Sequence, residues 1–279
     1  MVSAALQPQD LAITILGNEL LHHPELTAWS GGMVGLMGRF GFSTASARAA
    51  LARLVKRDLL QRERRGREMH YRLAPRARHR LAEGEQRILA FGTDSSWDGT
   101  WTIVSYSLPE RLRSRRDQLR IRMEFLGFGP LRDGTWIAPR NHVEDIAQLL
   151  AELDIDEGAD LFIGEPAPAG SVEQLVHRVW DLEDLDQRYA AFIATYGPAG
   201  LDEPRCDIDA LVVRTRLMHA FRQFPSADPE LPDELLPHHS RRADAVATFR
   251  DRWQTLEPVA HRAFVTHIAA TTSGGFPCP

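Results

Sequence analysis

The sequence predicts a multidomain α+β protein, and three observations lead to this prediction. Its 279 residues exceed the ~150 residues of an average domain, so two domains or three small ones are expected. Residues 42–73 read as a helix followed by a basic hairpin, residues 101–164 follow the order β-α-β-β-α-β, and helical periodicity prevails from residue 171. We therefore expect an N-terminal winged helix-turn-helix domain (1–92), a ferredoxin-like (βαββαβ) middle domain (97–165), an α-helical C-terminal domain (171–270) and a disordered tail (271–279).

The first part of residues 42–73 is predicted to be a helix with two different faces. Ser43 or Thr44 can cap its start, because a hydroxyl accepts a hydrogen bond from an unpaired backbone N–H. Its apolar face carries Ala47, Leu51, Leu54 and Val55 at helical spacing. The opposite face is small and basic, so a DNA groove can approach its backbone while arginine reaches phosphates or base edges. We expect DNA contacts from Ser43, Thr44, Ala45, Ser46, Arg48, Ala49, Ala52, Arg53 and Lys56.

A hairpin with an arginine-rich tip is predicted directly after this helix. Residues alternate in polarity on both sides of Arg65-Gly66-Arg67, which is typical of a hairpin. Residues 36–82 contain 13 lysines and arginines against 3 acidic residues, although the whole chain has a net charge of −5. An arginine-rich solvated surface is the alternative, but this clustering favours DNA binding. We expect further DNA contacts from Arg62, Arg64, Arg65, Gly66, Arg67 and His70.

The remaining elements follow from periodicity and turn residues. Around the DNA-binding stretch we predict three helices: Pro8–Leu21, Trp29–Phe40 and Ala74–Phe91. In the middle domain we predict a helix after Pro109, a helix at Val143–Leu153, and strands at Trp101–Tyr106, Phe128–Leu131, Thr135–Ala138 and Asp160–Gly164. In the C-terminal part, a capping box of Ser171 and Gln174 starts a long helix through Tyr196, followed by helices at Asp207–Phe224, Ala243–Leu256 and Pro258–Ala269.

Several function classes are disfavoured by what the sequence lacks. No run of apolar residues is long enough to span a membrane and the N-terminus is not a secretory signal, so we expect a cytoplasmic, nucleoid-associated protein. Cys206 and Cys278 suggest neither a disulfide framework nor a metal motif. Neighbouring histidines point apart, so the pairs at 22–23 and 238–239 are poor metal sites. No catalytic motif is present, and we expect no enzyme activity and no cofactor.

A metal-dependent nuclease is the main alternative, because small ferredoxin-like nucleases have a similar arrangement of strands and helices. Such enzymes need a carboxylate at the end of the first strand to hold a divalent cation. Ser107 stands at this position, and a lone hydroxyl cannot hold the metal. Cleavage of DNA or RNA that depends on Mg²⁺ would distinguish this alternative from a DNA-binding regulator.

The chain resembles the PaaX family of bacterial transcriptional regulators over nearly its whole length. The resemblance rests on FSTASARAALARLVKRDLLQRERRGREMHYRL, on WDGTWTIVSYSLPE with RRDQLRIRMEFLGFGPLRDGTWIAP, and on HAFRQFPSADPELPDELLP. It implies a homodimer, held by the C-terminal domain, that binds an inverted repeat in double-stranded DNA. It also implies a repressor of aromatic-acid catabolism, typified by phenylacetate degradation, that an aryl-acyl-CoA releases. The family usually continues after LLP with an acidic-Trp-Pro-Gly turn, where this chain has residues 238–242, HHSRR.

An acyl-CoA effector would need cationic groups for its phosphates and an apolar slot for its ring. Arginines of the first middle-domain helix could supply the charge, and aromatic and basic residues of the C-terminal helices could supply both. Core aromatics and solvated arginines are the alternative interpretation of the same residues. The candidate effector residues are Arg111, Arg115, Arg116, Trp180, Tyr189, Tyr196, Arg214, His219 and Arg222.

Overall fold

The computed structural model of the chain describes residues 6–93, 97–165, 171–200 and 204–269. It combines helices with two antiparallel sheets, which confirms the α+β class. The described residues form two compact units, and the C-terminal part of the chain contributes to both. Unit 1 comprises Met1–Ala90, Phe192–Arg222 and Asp244–Pro279, and unit 2 comprises Phe91–Ala191 and Gln223–Ala243.

Unit 1 contains the predicted DNA-binding stretch. Its three strands form an antiparallel sheet in the order β1-β3-β2. The N-terminal elements are α1 (Pro8–Leu20), β1 (Ala28–Trp29), α2 (Ser30–Arg39), α3 (Thr44–Lys56), β2 (Leu60–Arg65), β3 (Glu68–Leu73) and α4 (Pro75–Ala90). The sequence missed β1, because two residues are too few to show alternation. This short strand pairs Ala28 with Tyr71 and Trp29 with His70.

C-terminal helices complete the core of unit 1. They are the end of α8 (Leu182–Tyr196), α9 (Asp207–Phe221) and α11 (Arg242–Phe264), followed by a π-helical turn at Val265–Ala269. Ile208, Leu211, Phe264 and Ile268 belong to the same buried cluster as the apolar residues of α1, α2 and α3. The hydrophobic core of the predicted N-terminal domain is therefore built from both ends of the chain.

Unit 2 contains a four-stranded antiparallel sheet in the order β5-β6-β4-β7. Its elements are β4 (Trp101–Tyr106), α5 (Arg113–Phe125), β5 (Gly129–Arg132), β6 (Thr135–Ala138), α6 (Val143–Leu153), β7 (Ala159–Gly164), α7 (Val172–Val179), the start of α8, and α10 (Phe224–Ala227). Leu119 and Met123 of α5 and Ile146 of α6 share a buried core with Val104 and Trp136 of the sheet. Both helices therefore cover the same face of the sheet.

Three helix predictions were wrong in their extent. The helix predicted from Ser171 to Tyr196 is interrupted at Trp180, whose backbone is extended, and Asp181 Oδ1 accepts a hydrogen bond from Asp184 N at 3.1 Å to start α8. The helix predicted to end at Phe224 ends at Phe221. The two helices predicted on either side of residue 257 are one continuous helix, α11, with Pro258 inside it.

A proline inside a helix costs about 3 kcal/mol, because one hydrogen bond is lost and the ring crowds the preceding turn. Residues on both sides of Pro258 are buried, including Phe249, Leu256, Ala260 and Phe264. Burial of this continuous face offsets the cost, and the helix does not break. The tail that is predicted to be disordered, residues 271–279, lies outside the described residues.

Candidate nucleic-acid interface

Helix α3 has the two faces that the sequence predicts. Ser43 Oγ accepts a hydrogen bond from Ser46 N at 3.2 Å, so the helix starts with a side-chain cap. Ala47, Ala50, Leu51 and Leu54 are buried in the core of unit 1. On the other face, Ser46 and Ala49 are half-buried, and the exposed predicted DNA contacts are Ser43, Thr44, Ala45, Arg48, Ala52, Arg53 and Lys56.

The connection between α2 and α3 is a tight turn. Gly41 has a φ of +89°, a conformation that favours glycine, and the chain continues directly to the cap at Ser43. Phe42 N donates to Met37 O at 3.3 Å, which ties the turn to the end of α2. The turn that leads from α2 into α3 is therefore short and held by a backbone hydrogen bond.

The arginine-rich tip forms the predicted hairpin. Strands β2 and β3 are antiparallel from Leu60↔Leu73 to Arg65↔Glu68, and Gly66 turns the chain with a φ of +62°. Arg64 Nε donates to Gly66 O at 3.1 Å within the turn. The predicted contacts at this tip are all exposed, namely Arg62, Arg64, Arg65, Gly66 and Arg67.

Glu63 has a structural role in the hairpin that the sequence analysis missed. Arg65 Nε donates to Glu63 Oε1 at 2.8 Å, and Arg72 Nη2 donates to Glu63 Oε2 from the neighbouring strand. The hydrogen bond from Arg65 lowers the pKa of Glu63, although desolvation acts in the opposite direction. The sequence signal that could have indicated this role is the single carboxylate among the arginines of QRERRGR, residues 61–67.

His70 has to be removed from the predicted DNA contacts. Its side chain is fully buried at the centre of the three-stranded sheet, between Trp29 and Glu63 in the strand register. Its Nδ1 lies 3.1 Å from Thr27 Oγ1, so the ring belongs to the folded interior. The sequence did not reveal strand β1, whose pairing with β3 makes His70 part of the middle strand of the sheet.

Some of the predicted effector residues belong to unit 1 and the others to unit 2. On unit 2, Arg111 is exposed, Arg115 Nη1 lies 3.0 Å from Asp154 Oδ2, and Arg116 Nη2 lies 3.2 Å from Glu110 Oε2. At least two of these three arginines therefore already have carboxylate partners.

In unit 2, Tyr189 is buried and Trp180 is half-buried. The Tyr189 hydroxyl donates to buried Asp228, and burial, together with the charge of Asp228, raises the tyrosine pKa above its usual range. Trp180 lies 6.3 Å from Trp101 between ring centres, and its Nε1 has no hydrogen-bond partner among the described residues. A pocket at the start of α8 includes Tyr189, and the rest of its lining is Leu182, Leu185, Asp186, Asp228, Leu236, Pro237, His239 and Ser240.

Of the predicted effector residues of unit 1, Arg214 is buried, and Tyr196, His219 and Arg222 are half-buried. Arg214 is 5% exposed, its Nη1 lies 3.2 Å from Glu19 Oε1, and its guanidinium stacks 3.5 Å above the Trp253 ring. Burial lowers the pKa of His219 and of Arg222. Tyr196 packs against Phe192 at 4.9 Å between ring centres. Arg214 thus has a carboxylate and an aromatic partner in the interior of unit 1, and its role toward a ligand stays a prediction.

Metal chemistry finds no support in the described residues. Within these ranges, no three side chains of His, Cys, Asp or Glu are grouped to hold an ion. His22 Nε2 lies 2.7 Å from Glu85, and His23 stacks on His261, so this histidine pair points apart as expected. Ser107, at the end of β4, binds Gly158 O through its backbone N–H at 3.0 Å. No helix in the described part of the chain is both long and apolar enough to cross a bilayer.

Comparisons with known proteins cover nearly all of the chain. Three family models match consecutive segments: "PaaX-like protein" matches residues 7–77, "PaaX protein central Cas2-like domain" residues 94–176, and "PaaX-like protein C-terminal domain" residues 180–266. The chain is 28% identical over 276 residues to the "Transcriptional repressor PaaX" of Escherichia coli (strain K12), which covers 96% of this chain and 86% of that protein.

A solved structure supports the fold. The uncharacterized protein Rv0674 from Mycobacterium tuberculosis superimposes with a TM-score of 0.61 at 22% identity, over 89% of this chain and 96% of that chain. At this identity the likeness concerns the fold alone. The relative from Escherichia coli is a repressor rather than an enzyme, in agreement with the expectation of no enzyme activity. With three matching models in the expected order, the chain belongs to the PaaX family.

Proposed function

We propose that the protein is a sequence-specific transcriptional repressor whose unit 1 contains a winged helix-turn-helix. The observation that carries this proposal is the combination, in one unit, of the small, basic exposed face of α3 with the exposed arginine hairpin β2–β3. In this arrangement α3 is the recognition helix in the major groove, and the hairpin is the wing that contacts phosphates or the minor groove. The similarity to a transcriptional repressor supports the direction of regulation.

The rest of the proposal concerns assembly and induction. We propose a homodimer on an inverted repeat, because two recognition helices then read half-sites about one helical turn, or a multiple of it, apart. The sheet order β5-β6-β4-β7 in unit 2 supports a ferredoxin-like arrangement. We propose that the effector of the protein is an aryl-acyl-CoA of the phenylacetate type. The regulated genes then serve aromatic-acid catabolism. A cytoplasmic location follows from this role.

The role of α3 is tested with Arg48→Ala. Arg48 is exposed at the edge of the proposed recognition face. Loss of a base contact costs about 1–3 kcal/mol on the specific site, whereas binding to random DNA depends mainly on phosphate contacts. We expect the variant to lose affinity for the DNA upstream of its own gene and to change little on random duplex. Equal losses on both duplexes in fluorescence anisotropy would contradict base readout by α3.

Induction is tested by adding phenylacetyl-CoA to the preformed protein–DNA complex. We expect the thioester to release the DNA at concentrations where coenzyme A and phenylacetate, added separately, do not. Such release requires the ligand to bind the two states of the protein with different affinity. If the complex persists, the DNA-binding proposal stands but phenylacetyl-CoA is not the effector. Residues 238–242, where the sequence HHSRR replaces the usual turn of the family, would then be the place to look for specificity toward another ligand.

A further inference from the structure

The carboxylate of Glu63 organises the tip of the β2–β3 hairpin. It accepts a hydrogen bond from Arg65 Nε on its own strand and one from Arg72 Nη2 on the neighbouring strand. Each of its oxygens therefore has one arginine partner. The side chains of Glu63 and Arg65 are 32% and 42% exposed, so this small network is accessible from solvent.

The geometry of the Arg65 bond leaves the phosphate-binding end of the guanidinium available. Glu63 engages Nε, and the two terminal amino groups are not used by this bond. A guanidinium binds a phosphate most strongly through paired N–H groups in a fixed plane. An arginine whose plane is already fixed also loses less side-chain entropy on binding than one that is free to rotate.

We propose that Glu63 is a positioning residue that orients Arg65 for a DNA phosphate, with Arg72 fixing the carboxylate from the other strand. This inference rests on the proposed function of unit 1 as a DNA-binding unit. An acidic residue close to DNA lowers affinity through repulsion, so its presence at the tip of the wing calls for a compensating benefit. Orientation of Arg65 is that benefit.

The test distinguishes the orienting effect of Glu63 on Arg65 from the effect of its negative charge alone. Glu63→Gln removes one negative charge and replaces one acceptor oxygen with a donor amide, which cannot pair with both arginines. Glu68→Gln is the matched control, because Glu68 lies on the same hairpin, has a 26% exposed side chain, and has its ion-pair contact with His70 Nε2 at 3.6 Å rather than with an arginine. Each substitution is also made together with Arg65→Ala.

Binding is measured by anisotropy on the DNA upstream of the gene across a salt series. For Glu68→Gln we expect higher affinity than wild type and an unchanged salt slope. For Glu63→Gln we expect affinity roughly 3- to 10-fold below that of Glu68→Gln, and a salt slope smaller by about one, because one phosphate contact is lost. In the Arg65→Ala background the two substitutions should have equal effects, since the oriented arginine is absent.

Three results would overturn the inference. Equal affinities and salt slopes for Glu63→Gln and Glu68→Gln would mean that Glu63 affects DNA binding only through its negative charge. A difference that persists in the Arg65→Ala background would show that Glu63 acts through another group. If the wild-type protein itself fails to bind with a steep salt dependence, the proposed function fails first and this inference fails with it. Unchanged thermal unfolding of all variants is the folding control.

Discussion

At the scale of single residues, Glu19 and Arg214 form an ion pair that is almost completely enclosed, with side chains 2% and 6% exposed. His261 Nδ1 lies 3.1 Å from the second carboxylate oxygen, and Trp253 covers the guanidinium. Burial lowers the pKa of Arg214, and the charge of Glu19 opposes this shift. Each charge therefore depends on its partner for compensation.

Arg214→Met should destabilise the protein by about 3–5 kcal/mol, because it leaves the Glu19 carboxylate buried without its main partner. Arg262→Gln is the matched control. Arg262 and Asp207 are 59% and 46% exposed, and solvent screens the pair, so its loss should change the free energy of unfolding little. Urea unfolding of both variants measures the difference. Losses of similar size would mean that the Glu19–Arg214 pair is not a buried support of unit 1.

Local sequence patterns predict the exposure of some residues and miss the burial of others. The exposure of Arg48 and Arg67 follows from local periodicity and turn chemistry, which depend only on neighbouring residues. The burial of Arg214 and His70 could not be predicted in this way, because it depends on partners far away in the chain. Glu19 is 195 residues from Arg214, and strand β1 is 41 residues before His70.

At the scale of elements, α2 closely approaches the C-terminal π-helical turn in unit 1. A Cβ at Gly32 would lie 2.6 Å from His267 O and 3.0 Å from Ile268 Cα, both of which are backbone atoms. Glycine is therefore needed at this position for space. The sequence of α2 is rich in glycine, but it does not identify the element that approaches the helix.

Gly32→Ala should destabilise the protein by about 1–3 kcal/mol, because backbone atoms have to shift to admit the methyl group. Gly38→Ala is the control in the same helix, where a Cβ meets nothing within 4 Å. There we expect no loss, and a gain of up to about 1 kcal/mol from helix propensity. Thermal unfolding compares the two variants. If Gly32→Ala were as stable as Gly38→Ala, the described contact between α2 and the turn would be wrong.

Element boundaries show where sequence patterns stop being informative. Strands Trp101–Tyr106 and Thr135–Ala138 and helix Val143–Leu153 match their predicted bounds, because alternation, a Gly turn and a strong apolar stripe mark them locally. The break at Trp180 and the continuity through Pro258 were predicted the other way round. In both cases tertiary packing outweighs the local preference of the chain.

At the scale of the whole molecule, unit 1 is built from the two ends of the chain. The sequence predicted a separate N-terminal domain at residues 1–92. In the structure, α9, the end of α11 and the π-helical turn contribute buried residues to the core that supports α3. Local periodicity cannot reveal this sharing, since it does not identify the partner against which a buried residue packs.

A fragment of residues 1–92 should therefore melt roughly 10 °C or more below the intact chain, because it lacks several buried apolar partners and each lost kcal/mol lowers the midpoint by about 4–8 °C in a domain of this size. Circular dichroism measures the transition. Addition of a separate 204–269 fragment should restore part of the lost stability. If the fragment melts cooperatively and at the same temperature as the intact chain, residues 1–92 form an independent domain, as the sequence predicted.

The central claim, that unit 1 binds DNA in a sequence-specific way, is tested most directly by one titration. The intact chain is titrated by fluorescence anisotropy against the duplex upstream of its own gene and against a scrambled duplex of the same composition, from low to physiological salt. We expect steep salt dependence on both duplexes and at least ~10³-fold tighter binding to the upstream duplex at physiological salt. Equal affinity for the two duplexes, or binding that is insensitive to salt, would contradict the account.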